Sequence, residues 1–128
     1  MRKMFKVVTK AAIFNYDKTK VLVIYMDQNN DYGLPGGHIE EDESIDVAMK
    51  RELYEECGIK SIELTKVDFF THSNGKIVLA YTGVLAQDER VVSMQDNLEG
   101  APKWLSKDEF ADITIEPNYR HLVLDNWK

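Results

Sequence analysis

Apolar residues mark out the framework of this chain before any chemistry is considered. Val7 to Phe14 is rich in β-branched and small apolar side chains and predicts a strand. A turn follows at Asn15-Tyr16-Asp17-Lys18. Val21 to Met26 (VLVIYM) is apolar throughout and mostly β-branched or aromatic. Such a run predicts a strand buried on both faces, lying mid-sheet with a layer on either side. A polar loop is expected at Asp27-Gln28-Asn29-Asn30-Asp31, then a tight turn at Leu34-Pro35-Gly36-Gly37 whose two glycines are free to take positive φ. Ser44 to Cys57 predicts a helix, with Asp42 or Ser44 as its N-cap and Gly58 in the left-handed position at its end.

Three further strand segments are expected at Ser61–Asp68, Phe69–Ser73 and Lys76–Ala86, and the first two could run on as one. Asn74-Gly75 is the strongest hairpin signal in the chain. Gln87 to Gly100 is polar and acidic and is expected to be a mobile loop. Lys103-Trp104-Leu105 suggests a short strand, and Ser106–Phe110 a turn of helix. Pro117 suits the first position of a last helix, Asn118 to about Asn126, with Leu122, Val123 and Trp127 free to pack. The expected fold class is α/β (α+β): a mixed sheet covered by helices on both sides.

Composition narrows the function. The 128 residues fit a single domain, 1–128, with no internal repeat, low-complexity tract or linker to divide it. The balance of 22 acids against 16 bases gives a net charge of −6. That argues against binding polymeric nucleic acid or an anionic membrane, but a bound cation could still bring in a phosphorylated small molecule. Cys57 is the only cysteine, so no internal disulfide forms, and a reducing, cytoplasmic setting is expected. The basic start, Met1-Arg2-Lys3-Met4-Phe5-Lys6, leads into an apolar run broken by Lys6 and Lys10, and no signal peptide is expected.

The end of the central helix is where the chain departs from ordinary patterning. Glu52, Glu55 and Glu56 crowd three carboxylates into five residues. At 100° per residue they fall within an arc of about 100°, on the side that carries Ile45, Ala48 and Met49 one to two turns earlier. Arg51 stands four residues before Glu55, but one such pair contributes only about 0.2–0.5 kcal/mol. Acids at a helix C-terminus also oppose the macrodipole. Helix physics alone favours a solvated acidic end.

The wider spacing reverses that. Gly37, Glu43, Arg51-Glu52-Leu53, Glu55-Glu56 and Gly58-Ile59 stand in the pattern G-x5-E-x7-R-E-U-x-E-E-x-G-U, with U bulky and apolar. This resembles the Nudix box at every specified position, and a chance match in the chain is on the order of 10⁻⁸ to 10⁻⁷. Leu34-Pro35-Gly36-Gly37 is similar to that family's entry to the box.

The resemblance implies an αβα sandwich and hydrolysis of a phosphoanhydride in a nucleoside diphosphate linked to a group X. It implies Mg²⁺ or Mn²⁺, hard cations that prefer oxygen ligands. By the same resemblance Glu52, Glu55 and Glu56 are metal ligands, with a backbone carbonyl at Gly37. Arg51 and Glu43 are the supporting pair, Arg51 holding a metal-binding carboxylate. Glu56 is one candidate for activating water.

Outside the box, Glu99-Gly100-Ala101-Pro102-Lys103-Trp104 resembles the acidic loop and Trp of the MutT-type branch. Glu99 is carried over as a metal ligand or general base; the other reading is an ordinary loop acid beside Asp88, Glu89 and Asp96. Trp104 is expected to be structural. Asn118 is a candidate reader of a purine edge, or simply a helix cap. His38, His72 and His121 lack metal-ligand spacing and are expected to be incidental, and Cys57 to be packed.

The segment His72-Ser73-Asn74-Gly75-Lys76-Ile77 lacks the Pro or Tyr that marks some branches of the family. Together with Glu99 and Trp104 this points to a nucleoside triphosphate, including an oxidised purine nucleotide, cleaved to monophosphate and pyrophosphate by a monomer or homodimer. An ADP-ribose, nucleotide-sugar or dinucleotide pyrophosphatase is the alternative, as is a nucleotide-binding module without turnover.

Overall fold

The computed structural model describes residues 5–26, 31–92 and 100–128 of the chain. In chain order the elements are β1 (Val7–Phe14), β2 (Lys20–Met26), β3 (Asp31–Gly33), β4 (Gly36–His38), α1 (Ile45–Cys57), β5 (Thr65–Thr71), β6 (Ile77–Val84), β7 (Ala101–Ser106), α2 (Lys107–Asp112) and α3 (Pro117–Asn126). The sheet is mixed, in the order β3-β2-β1-β6-β5, with β7 on β2 and β4 on β1. Of the described strands, β1 and β6 pair in parallel along the full length of β1, Val7↔Ile77 to Phe14↔Val84. The other pairings are antiparallel.

The sheet is split where the site forms. With β6 occupying one edge of β1, the other edge is shared. β2 touches it only at Phe14↔Val21, and β4 pairs with it from Val8↔His38 to Lys10↔Gly36. β3 pairs with β2 at Ile24, Tyr25 and Met26. The segment 31–38 therefore wedges between two strands that diverge.

Strand periodicity sorts the core into two layers. Ala11 and Ile13 of β1 and Leu22 and Ile24 of β2 pack with Met49, Leu53 and Cys57 of α1. The alternate residues Val8, Ala12, Phe14, Val21 and Val23 pack with Phe110, Leu122, Val123 and Trp127 of the α2–α3 side. Helices on both faces of a mixed sheet make the expected αβα sandwich.

Several elements differ from the sequence expectation. The segment 34–37 is more than a turn, since Gly36–His38 forms β4, and of the two glycines only Gly36 takes positive φ, at 141°. Asp31 opens β3 rather than closing a loop, while 27–30 lie outside the described residues. Strand structure begins at Thr65, not Ser61, and runs unbroken to Thr71. Residues 62–64 instead cross β6 at Gly83, where a Cβ would stand 2.8 Å from the Glu63 carbonyl oxygen. Ile62 and Leu64 pack against the α1 layer from there. The hairpin at Asn74-Gly75 forms as expected, with Gly75 at φ 89° and its N–H donating to the His72 carbonyl at 2.8 Å.

Ser44 caps α1, its hydroxyl accepting from the Val47 N–H at 3.3 Å. Asp42 takes φ 63° in the turn before it. Gly58 ends α1 in the left-handed region, φ 68°, donating to the Tyr54 carbonyl at 2.9 Å. Pro117 opens α3. Among the described residues no helix is long and apolar enough to cross a membrane.

Candidate active site

The site lies where β4 meets α1. Gly36 sits against β1 so closely that a Cβ would land on the Thr9 carbonyl, so this position excludes a side chain whatever its chemistry. Gly37 faces α1, and a Cβ there would stand 2.6 Å from Oε1 of Glu52. One glycine lets the strands meet; the next leaves room beside a carboxylate.

Arg51 gathers three of the acids named from sequence. Its Nε donates to Glu43 Oε2 at 2.7 Å and its Nη2 to Glu43 Oε1 at 3.0 Å, a two-pronged pair. Nη1 donates to Glu52 Oε1 at 3.1 Å and to Glu55 Oε2 at 3.2 Å. Nη2 also reaches the His38 carbonyl at 3.0 Å, tying α1 to the end of β4. Glu43 accepts in addition from the Glu40 N–H at 2.9 Å. The Arg51 hydrogen bonds hold the Glu43 carboxyl below its ordinary range and raise the Arg51 guanidinium further.

Glu56 lies away from this clamp. Its Oε1 accepts from the Gly36 N–H at 2.7 Å. Burial pushes its carboxyl up to about 7, against the opposing pull of Lys10 and the Gly36 N–H. Burial also raises Glu52, with Arg51 opposing. Lys10, on β1, donates from Nζ to the carbonyls of Leu34 at 3.1 Å and Gly36 at 3.2 Å. Burial lowers its ammonium, while Glu56 and Glu52 act to raise it.

Glu56, Gly36 and Gly37 open onto a cleft of about 850 Å³. Lys10 and Lys76 give it a cationic side, Tyr32, Ile115 and Tyr119 an apolar one, and His38 lines it with an imidazole that burial and the nearby lysines hold below its ordinary range. Its far wall is the β5–β6 hairpin, fastened to α3 by Glu116. That carboxylate accepts from the Ser73 N–H at 3.1 Å and the Ser73 hydroxyl at 2.8 Å.

The structure brings Gly37, Glu43, Arg51, Glu52, Glu55 and Glu56 together. Glu99 lies outside the described residues. Asn118 is not among the cleft-lining residues, and its amide donates to the Thr71 carbonyl at 2.9 Å, joining α3 to β5. His38 and His72, expected to be incidental, both line the cleft. Cys57 is buried, its thiol pushed up to about 12 by that burial. Trp104 packs against the α1 layer. Sequence reasoning missed Lys10, although the run Val8-Thr9-Lys10-Ala11-Ala12 held the signal: a cation on a strand otherwise bound for the interior.

The donors suit a hard divalent cation. They are carboxylates with an open glycine beside them, and the cationic group now bridging Glu52 and Glu55 is the Arg51 guanidinium. Among the described residues no three His, Cys, Asp or Glu side chains converge closely enough to hold a metal.

Comparison with known proteins agrees with this geometry. The NUDIX domain model matches residues 4–125. No curated protein matches the chain. Among solved structures, a Nudix-family hydrolase from Clostridium perfringens superposes with a TM-score of 0.78 at 18% identity, covering 98% of this chain and 97% of that one. The E. coli dihydroneopterin triphosphate pyrophosphohydrolase gives 0.77 at 21%, covering 97% of each. The Nudix domain of Shewanella oneidensis NrtR, solved with ADP ribose, gives 0.75 at 21%, covering 96% of this chain and 86% of that one. At these identities the superpositions speak for the fold, and the domain match speaks for the lineage. The chain belongs to the Nudix family.

Proposed function

We propose that this protein is a divalent-metal-dependent hydrolase of nucleoside triphosphates, cleaving them to the monophosphate and pyrophosphate. The observation that carries the reading is Glu56, a half-buried carboxylate held by the Gly36 N–H where the Nudix box opens onto the cleft. In the metal-free protein burial raises its carboxyl to about 7, against the charge of Lys10 and the Gly36 N–H.

Mg²⁺ or Mn²⁺, held by Glu52, Glu55, Glu56 and the Gly37 carbonyl, would neutralise phosphate charge and acidify a bound water. The chain's own residues do the rest. Glu56 accepts the proton of the attacking water. Arg51, anchored on Glu43, orients Glu52 and Glu55. Lys76 lies where phosphate oxygens would meet positive charge, and Tyr32, Ile115 and Tyr119 offer a wall against which a base could lie. Glu99 is a further ligand or base, and Asn118 helps shape the base pocket by fixing α3 to β5. We assign the protein to the cytoplasm, as one domain acting as a monomer or homodimer.

A second reading, an ADP-ribose or nucleotide-sugar pyrophosphatase, is favoured by the size of the cleft, about 850 Å³. A panel of nucleoside triphosphates, oxidised purine nucleotides, ADP-ribose and dinucleotides, with product identification in Mg²⁺, separates the two. Pyrophosphate release from triphosphates is expected. Release of AMP from ADP-ribose alone would favour the second reading, and no cleavage of any nucleotide would overturn both.

A further inference from the structure

Lys10 is an anomaly on its strand. Its same-face neighbours Val8 and Ala12 are buried in the α2–α3 layer, and an apolar residue between them would satisfy the sheet at less cost. Among the described residues its ammonium makes no ion pair. It is spent on backbone instead, on the carbonyls of Leu34 and Gly36. The carbonyl between those two, on Pro35, accepts from the Ala11 N–H at 3.1 Å. Three successive carbonyls of the glycine turn are thus fixed by two consecutive residues of β1. On the other side of the same turn, the Gly36 N–H donates to Glu56 of α1 at 2.7 Å.

We propose that Lys10 is a positioning residue of the hydrolytic site, clamping the glycine turn to β1 so that the Gly36 N–H holds Glu56 in place. The role rests on the reading of Glu56 as the group that activates water. Lys10 acts through the turn, and its two carbonyl acceptors stand on either side of Pro35, which has no N–H to tie the turn by itself.

The test compares Lys10→Met, which keeps the stem but loses the ammonium, with Lys10→Arg. One readout is amide hydrogen exchange at Gly36 by NMR. The other is kcat and KM for the nucleoside triphosphate that wild type cleaves. Lys10→Met is expected to speed Gly36 exchange at least ~10-fold while the β1–β6 amides keep their protection. It should lower kcat at least ~30-fold with KM within about 3-fold, and Lys10→Arg should recover most of both. Unchanged Gly36 exchange overturns the proposal. So does faster exchange throughout the sheet, which marks a merely structural lysine, or a raised KM with kcat intact, which marks a substrate contact. If Lys10→Met fails to fold, the same readouts on Lys10→Gln decide in the same way. If wild type cleaves no nucleotide, the proposed function fails, and the exchange readout still judges the clamp on its own.

Discussion

Two groups of carboxylates on one helix are held in opposite ways. Glu52 and Glu55 share the Arg51 guanidinium with Glu43, at the rim of the site, with the Glu55 side chain 46% exposed. Glu56, one residue further on, faces inward and meets a backbone N–H and the nearby charge of Lys10. Arg51 draws Glu43 down into stable ionisation, while burial pushes Glu56 up to about 7. The same residue type thus supplies, in Glu43, a carboxylate that Arg51 keeps ionised and, in Glu56, an exchangeable proton site. A site that must hold cations and also accept a proton needs both, and the fold separates them by which side of α1 meets β4.

The comparison breaks most sharply at Arg51. Arg51→Lys removes the fork that engages Glu43 and frees Glu52 and Glu55 from a common partner. We expect kcat to fall about 10²-fold and stability at pH 7 to drop by roughly 2 kcal/mol in urea titrations. A variant as active and stable as wild type would show that the guanidinium geometry is dispensable.

The two glycines sharpen the comparison. At Gly36 an alanine meets backbone, the Thr9 carbonyl, at φ 141°, so Gly36→Ala should cost at least ~3 kcal/mol and separate β4 from β1. At Gly37 an alanine meets only the movable end of Glu52. Gly37→Ala should fold with stability within about 1 kcal/mol of wild type but bind Mn²⁺ about 10-fold more weakly. Thermal melts and calorimetric Mn²⁺ titration check the pair, and equal effects at both positions would contradict the assignment.

The comparison also has a signature in pH. The Glu56 carboxyl stands near 7 in the folded protein against an ordinary 4.5. Folding thus favours its protonated form, so its contribution is fully present below about 4.5 and is lost as pH rises through 7. Lys10, Glu52 and Glu55 face it, and their charges shape the same window. Glu43, held low by Arg51, stays ionised across that range and adds no slope there. Without metal, melting temperature should fall between about pH 5 and pH 8, by up to roughly 3 kcal/mol in stability. The slope should flatten in Glu56→Gln. A flat wild-type curve would place Glu56 in solvent.

Much of this arrangement was legible in the sequence where single residues carry a local demand. Ser44 and Gly58 bound α1 because a cap hydroxyl and a left-handed glycine are chemical signatures. Val21 to Ile24 announced a strand buried on both faces because no polar position interrupts it. The spacing of Gly37, Glu43, Arg51, Glu52, Glu55 and Glu56 pointed to a shared site, and Arg51 does join Glu43, Glu52 and Glu55, with Gly37 beside Glu52 and Glu56 apart on the Gly36 N–H. What stayed hidden depends on tertiary placement. Asp31–Gly33 and Gly36–His38 have no strand pattern; they are strands because β1 and β2 diverge and leave edges to fill. A helical arc groups Glu55 with Glu56, but only the position of β4 decides which is buried. The use of Lys10 depends on the carbonyls of Leu34 and Gly36, which no pattern of side chains records.

The central claim is that Glu56 is the proton acceptor of a metal-dependent hydrolysis. It is tested most directly by the steady-state kinetics of Glu56→Gln beside wild type at saturating Mg²⁺, on the nucleotide that wild type cleaves. The account predicts a fall in kcat of about 10³-fold. It also predicts a metal-free melting temperature at pH 7.5 no lower than that of wild type, since the variant buries no charge. A kcat within about 3-fold of wild type would contradict it and move the proton acceptor to another group.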